Sequence, residues 1–284
     1  MNMMKKTAIW MLALALFGAL QACDDDDVKV PSQVQTAFAA KFPGATRVDW
    51  ERRGSYLVAD FHDAGYETDA WFDAAGVWYM TETEILFQSL PAAVQSAFEA
   101  GEYATWKVEH VEKVERRDME PIYVIEVERG EAEFDLHYSH DGVLVRVVPD
   151  ADNDRHHDDL LPQQLPQAVT DFIAAKYPGA RILEAEPERD PLYVLEVEII
   201  DGGRLREVRF DAADKWVHTK TEVRAAEVPD VVMAALRASQ YAAWTIDEID
   251  QYVAPEREWY RFELEQPGSE RETEVDILSD GTLL

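Results

Sequence analysis

The feature that most constrains this chain is that it repeats itself. Val30-Pro31, an apolar helical stripe and Lys41-Phe42-Pro43-Gly44-Ala45 return 135 positions later as Leu165-Pro166 and Lys176-Tyr177-Pro178-Gly179-Ala180. Two further stretches agree at a constant offset of 138. Phe72-Asp73-Ala74-Ala75 with Trp78, Thr81 and Thr83 becomes Phe210-Asp211-Ala212-Ala213 with Trp216, Thr219 and Thr221. Ala97-Phe98, Tyr103-Ala104 and Trp106 become Ala235-Leu236, Tyr241-Ala242 and Trp244. Four copies of one small unit, arranged as a pair duplicated whole, account for these matches.

Each unit changes period partway along. Val34, Ala37, Phe38 and Phe42 form an i, i+3, i+4, i+8 stripe behind Pro31, which predicts a short helix stopped by Pro43-Gly44. Tyr56 to Asp63, Tyr66 to Asp73 and Val77 to Ile85 then alternate with period two, as half-buried strands do. In this alternation Trp78 falls on the same side as Met80, Glu82 and Glu84. The units close on Asp73-Ala74-Ala75-Gly76, Asp141-Gly142, Asp211-Ala212-Ala213-Asp214 and Asp280-Gly281, where Gly or Asp tolerates the positive φ of a tight hairpin. The expected fold class is α+β: four α-β-β-β-β repeats forming two tandem domains, each an antiparallel sheet with helices on one face. The first domain spans 30–149 (repeats 30–88 and 89–149) and the second 165–284 (repeats 165–225 and 226–284). An acidic linker, 150–164, joins them.

The helix that begins Leu/Val-Pro and ends Phe/Tyr-Pro-Gly-Ala, the strands carrying Tyr56 or Tyr193 and the terminal Asp-x-x-Gly or Asp-Gly hairpin together resemble the PepSY-like, β-lactamase-inhibitor-like repeats. The resemblance covers nearly everything after Val28 except the linker. It implies an exported protein that pairs helices with an antiparallel sheet, in a family where most members lack a known activity and some inhibit or regulate enzymes. Inhibition is implied by this analogy of fold alone.

Residues 1–22 place Lys5 and Lys6 before the apolar run Ala8 to Leu20 and contain no acid, the pattern of an export signal. Leu20-Gln21-Ala22-Cys23 resembles a bacterial lipobox, and Cys23 is the sole cysteine of the chain. Lipidation of Cys23 would hold the protein on a membrane without spanning it. Residues 23–29 then form an acidic tether. Asp24 to Asp27 admit an export tag for the outer surface, an inner-membrane retention signal or a plain solvated spacer. The expected address is the cell envelope, on the outer membrane.

The formal charge is −30, and loss of 1–22 makes it more negative. Such repulsion argues against nucleic acid and anionic lipid surfaces as partners and leaves cationic peptides, basic protein patches or divalent metals. With 47% apolar residues the chain can bury real cores, and no disulfide is available to help.

Helices on one side leave alternate strand residues open on the other. Phe134, Leu136 and Tyr138 are expected to be covered, leaving Glu133, Asp135 and His137; Tyr260, Phe262 and Leu264 are covered, leaving Trp259, Arg261 and Glu263. Trp71, Trp78, Trp216, Trp259, Arg261 and Glu263 are the candidate partner-binding residues, since aromatics among charges supply contact area and orientation. Asp150, Asp152 and Asp154 have the spacing of calcium-loop ligands, but Arg155 and Leu161 stand where glycine and a bidentate glutamate belong. No G-x-S-x-G elbow, H-E-x-x-H helix or phosphate-binding glycine loop occurs. The reading is a non-enzymatic, cofactor-free envelope lipoprotein that binds a protein or peptide through open sheet faces. Two alternatives stay open: an envelope-polymer hydrolase, whose mark would be a deep pocket with two carboxylates of displaced titration, and a calcium-responsive spacer.

Overall fold

The structure, a computed structural model, describes residues 28–149, 160–269 and 271–284. The export signal, Cys23, the start of the acidic tether and Asp150, Asp152 and Asp154 lie outside the described residues.

The first unit runs α1 (Ser32–Lys41), β1 (Thr46–Arg53), β2 (Tyr56–Asp63), β3 (Tyr66–Phe72) and β4 (Trp78–Glu84); the second runs α2 (Ala92–Ala100), β5 (Lys107–Arg116), β6 (Ile122–Arg129), β7 (Ala132–Ser139) and β8 (Leu144–Pro149). The third contains α3 (Gln167–Lys176), β9 (Arg181–Pro187), β10 (Leu195–Asp201), β11 (Arg204–Phe210) and β12 (Trp216–Glu222), and the fourth α4 (Asp230–Ala238), β13 (Thr245–Val253), β14 (Glu258–Glu265) and β15 (Glu272–Leu278). Strands β1 to β8 form one antiparallel meander and β9 to β15 another, so the halves do not share a sheet. In the fourth unit the last strand shrinks to a single bridge between Ile277 and Leu283.

Each of the four described α-helices follows a proline. Pro31, Pro91, Pro166 and Pro229 hold φ between −53° and −59°, and the Pro31 carbonyl accepts from Val34 N at 3.0 Å and Gln35 N at 3.1 Å. Helices this short are not stable alone, so packing must hold them. Each buries the same two positions one turn apart: Val34 and Phe38, Val94 and Phe98, Val169 and Ile173, Val232 and Leu236. Each pair sits in its own core against the inner face of its strands. The hairpin residues expected to need positive φ adopt it: Gly76 (86°), Gly142 (80°), Asp214 (58°) and Gly281 (90°).

A fifth core lies on the helix-free side. Val58, Trp71, Met80, Val114, Ile122 and Val124 of the first sheet pack with Leu160 and with Leu183 and Ile200 of the second. Glu120 N donates to Ile182 O at 2.8 Å, and the buried Arg116 guanidinium donates to Leu183 O. The sheet faces expected to be open are thus partly closed by one another.

Candidate functional site: the charged face of the second sheet

On the helix-free face of the second sheet, alternate residues of six strands meet as a ladder of opposite charges. Arg209 on β11 donates through Nε to Glu196 Oε2 at 2.6 Å and through Nη2 to Glu207 Oε2 at 2.7 Å. Lys220 on β12 lies 3.4 Å from Glu207 Oε1, 3.2 Å from Asp250 Oδ2 and 3.7 Å from Glu248 Oε1. Arg261 on β14 grips Asp276 with two hydrogen bonds, 2.8 and 2.9 Å, and lies 3.0 Å from Glu274. Aromatic rings flank the ladder. Trp259 stacks on Tyr252 with centroids 4.9 Å apart and planes 10° from parallel, and His218 packs on both.

Burial reshapes the titration of this face. Desolvation pushes the Asp250 carboxyl up to about 6, against the pull of Lys220. Burial pulls the Lys220 ammonium down, but Glu207 and Asp250 outweigh it and hold it above its ordinary value. His218, buried near Arg209 and Arg257, is lowered to about 4. Glu198 is raised to about 8 by burial and by Glu184, despite Arg146.

A cleft of about 570 Å³ opens between this face and the β7–β8 hairpin of the first half. Val143 and Leu144 form one wall; Glu207, Lys220, Glu248 and Asp250 belong to the other. Glu227, also on its rim, is held near 2 by hydrogen bonds from Arg204 and the Arg224 backbone. The cleft's displaced carboxyls each have a cation partner. Asp250 lines the cleft, whereas Glu198 sits at the junction with Arg146.

The candidate residues read from the sequence fall in three places. Trp259, Arg261 and Glu263 share the helix-free face as expected, but Trp259 is only 7% exposed because Tyr252 covers one ring face and Arg257 lies 4.5 Å from the ring centroid. Trp71 is also on a helix-free face and is wholly buried in the core between the sheets. Trp78 and Trp216 lie on the helix side instead. A bulge pairs Phe72 with Trp78 but Trp71 with Met80, and the same bulge recurs at Phe210 and Trp216. One inserted residue reverses which face a strand presents. Each of these two tryptophans donates Nε1 to a threonine, Thr81 at 2.8 Å and Thr219 at 3.0 Å, and lies under a lysine. His137, expected to be open, is buried across from Val124 and Arg146. Arg209, Glu196, Asp250 and Tyr252 were not among the candidates. Charges two positions apart, Glu196 and Glu198, Glu207 and Arg209, Glu248 and Asp250, were the signal that would have found the charged residues, whereas Tyr252 carried none.

The chain belongs to the PepSY-like family. The family model described as "Putative beta-lactamase-inhibitor-like, PepSY-like" matches residues 55–146, 152–201 and 193–284, and the first and last matches differ by the repeat offset of 138. Among solved structures, it is 36% identical to a BLIP-like protein from Bacteroides fragilis NCTC 9343, covering 47% of this chain and 97% of that one, with a TM-score of 0.44. It is 31% identical to a DUF2874 family protein from Bacteroides ovatus ATCC 8483, covering 46% of this chain and 94% of that one, TM-score 0.43. A third, from Bacteroides eggerthii DSM 20697 and described among "putative periplasmic proteins", is 29% identical over 43% of this chain and 89% of its own, TM-score 0.41. No curated protein matches the chain.

Proposed function

We propose that this is a non-catalytic cell-envelope protein, anchored through a lipidated Cys23 at the outer membrane, that binds a basic segment of a protein partner and thereby inhibits or regulates a secreted enzyme. Its two sheets act as two domains, 30–149 and 165–284, joined by 150–164. The observation that carries this reading is the cleft between Leu144 and the charged face, whose walls set Glu207, Glu222, Glu227, Glu248 and Asp250 against Lys220, Arg204 and Arg224. An acidic cleft with one apolar wall suits a segment that alternates basic and apolar side chains. Pairing of the cleft's displaced carboxyls, Asp250 with Lys220 and Glu227 with Arg204, favours a structural rather than a hydrolytic role there, and membership of a family described as β-lactamase-inhibitor-like agrees with binding. Among the described residues no helix is long and apolar enough to cross a membrane.

A photocrosslinking side chain at Leu144, 38% exposed, tests the reading in living cells against the same group at Leu86. A discrete protein adduct from position 144 and none from 86, weakened by Glu248→Lys, is the expected result. Adducts of equal strength from both positions, or none from 144, would refute it. In the same cells Cys23→Ser should move the protein from the membrane to the soluble fraction.

A further inference from the structure

We propose that Glu248, Asp250 and Glu263 form a calcium site on the helix-free face of the second sheet, with Lys220 as an internal cation that the ion displaces. One oxygen from each of these carboxylates lies within 4.8 Å of the others. Two ligands of one calcium ion, at bonds of about 2.3–2.6 Å, span that separation. Acids are common on this protein, so proximity alone would mean little. A separate observation singles out this cluster. Asp250 is 2% exposed, its Oδ2 faces Lys220, and its other oxygen, Oδ1, is shielded from solvent and receives no hydrogen bond. A buried carboxylate oxygen without a donor is costly, and a cation is what would relieve it.

The strand register explains how the three acids converge. Glu248 and Glu263 are direct cross-strand partners on β13 and β14, an arrangement of like charges that is unfavourable without a counter-ion. Asp250 follows Glu248 by two positions and so shares its face. A bulge between Ile246 and Glu248 sets this alignment. Three carboxylates against one ammonium leave two negative charges, the complement of a divalent ion. Lys220 has somewhere to go, because Glu207 Oε1 already lies 3.4 Å from it on the far side. Asp247, Glu272 and Glu274 line the adjoining hollow of about 260 Å³ together with Glu263, and they would draw cations toward the site. Glu248 and Glu263 are only half-buried, so water can complete the shell of oxygens.

Few protein ligands and a competing lysine place the affinity in the weak class of extracellular modules, a Kd of about 10⁻⁴–10⁻³ M. The test is a calcium titration of the full-length, chelator-stripped protein, read by calorimetry and by thermal melting. Wild type should bind in that range and melt higher with calcium. Lys220→Met should bind about tenfold tighter, since it removes a unit charge beside the ion. Glu248→Gln, on the half-buried rim, should weaken binding, and the double variant Asp250→Asn with Glu263→Gln should abolish it. A response that survives in that double variant would place the ion elsewhere, as in the acidic segments 24–27 or 150–159, and overturn the proposal. So would the absence of any response in both wild type and Lys220→Met, or an equal response to magnesium.

Discussion

The Arg146 guanidinium stands 3.3 Å from the Glu184 carboxylate, tying the last strand of the first sheet to the first strand of the second across the join between the halves. The same Nη2 donates to Glu186 at 2.7 Å, and Glu184 is almost wholly buried. Burial alone would lower the guanidinium's affinity for its proton, but Glu184 and Glu186 raise it instead. The ion pair therefore belongs to the assembly of the two halves.

Removing one member of a buried ion pair leaves the other uncompensated. Arg146→Ala should cost about 3 kcal/mol in urea unfolding, and the double variant Arg146→Ala, Glu184→Ala should cost clearly less than the two single losses added together. Additive losses would show that the pair does not couple the halves.

Stability should fall as pH rises from 6.5 to 8. Glu198 is raised from 4.5 to about 8, so between those values the folded protein holds a proton that the unfolded chain has released. Its contribution is complete below 4.5 and lost as pH passes through 8. His218, lowered from 6.5 to about 4, acts oppositely, adding stability as pH climbs from 4 to 6.5. Asp250, raised from 3.8 to about 6, falls together with Glu198 over that range, so His218 offsets only part of the loss below 6.5, and Glu198 carries the main fall above it. Melting temperatures across this range should flatten in Glu198→Gln, and a persisting slope would assign the effect elsewhere.

Lys41 Nζ lies 3.6 Å from the centroid of the Trp78 ring, and Lys176 lies 4.1 Å from that of Trp216. Replacing either lysine by methionine keeps the stem and deletes the charge, at an expected cost of about 0.5–1 kcal/mol. The two sites are in different units, so chemical denaturation of the double variant should report their sum.

Gly142 and Gly130 both adopt positive φ, but a Cβ on Gly142 would meet the Ala93 carbonyl oxygen at 2.5 Å, whereas nothing lies within 4 Å of one on Gly130. Gly142→Ala should therefore destabilise by well over about 1 kcal/mol, beyond the backbone strain shared by Gly130→Ala. Equal losses in thermal unfolding would contradict the tight seating of this turn beneath α2.

Much of the architecture was legible along the chain because its signals are local. Proline followed by a four-residue apolar spacing marks each helix start and the two positions it buries, as at Pro31, Val34 and Phe38. The Asp-Gly ends marked the turns, and alternation separated Phe134, Leu136 and Tyr138, in the helix-side core, from their neighbours. The faces of Trp78 and Trp216 were misread, because a bulge inserts one residue without disturbing the pattern on either side of it.

The order of elements, the duplication and the split between a helix-covered and a charged strand face were written in the residues, since period and turn chemistry act over a few positions. Tertiary structure alone decided that the two uncovered faces meet, burying Trp71 and His137, and that Lys220, Glu248, Asp250 and Glu263 converge. Those residues come together through strand register and sheet packing, and neither the register nor the packing of distant strands leaves a periodic trace in the chain.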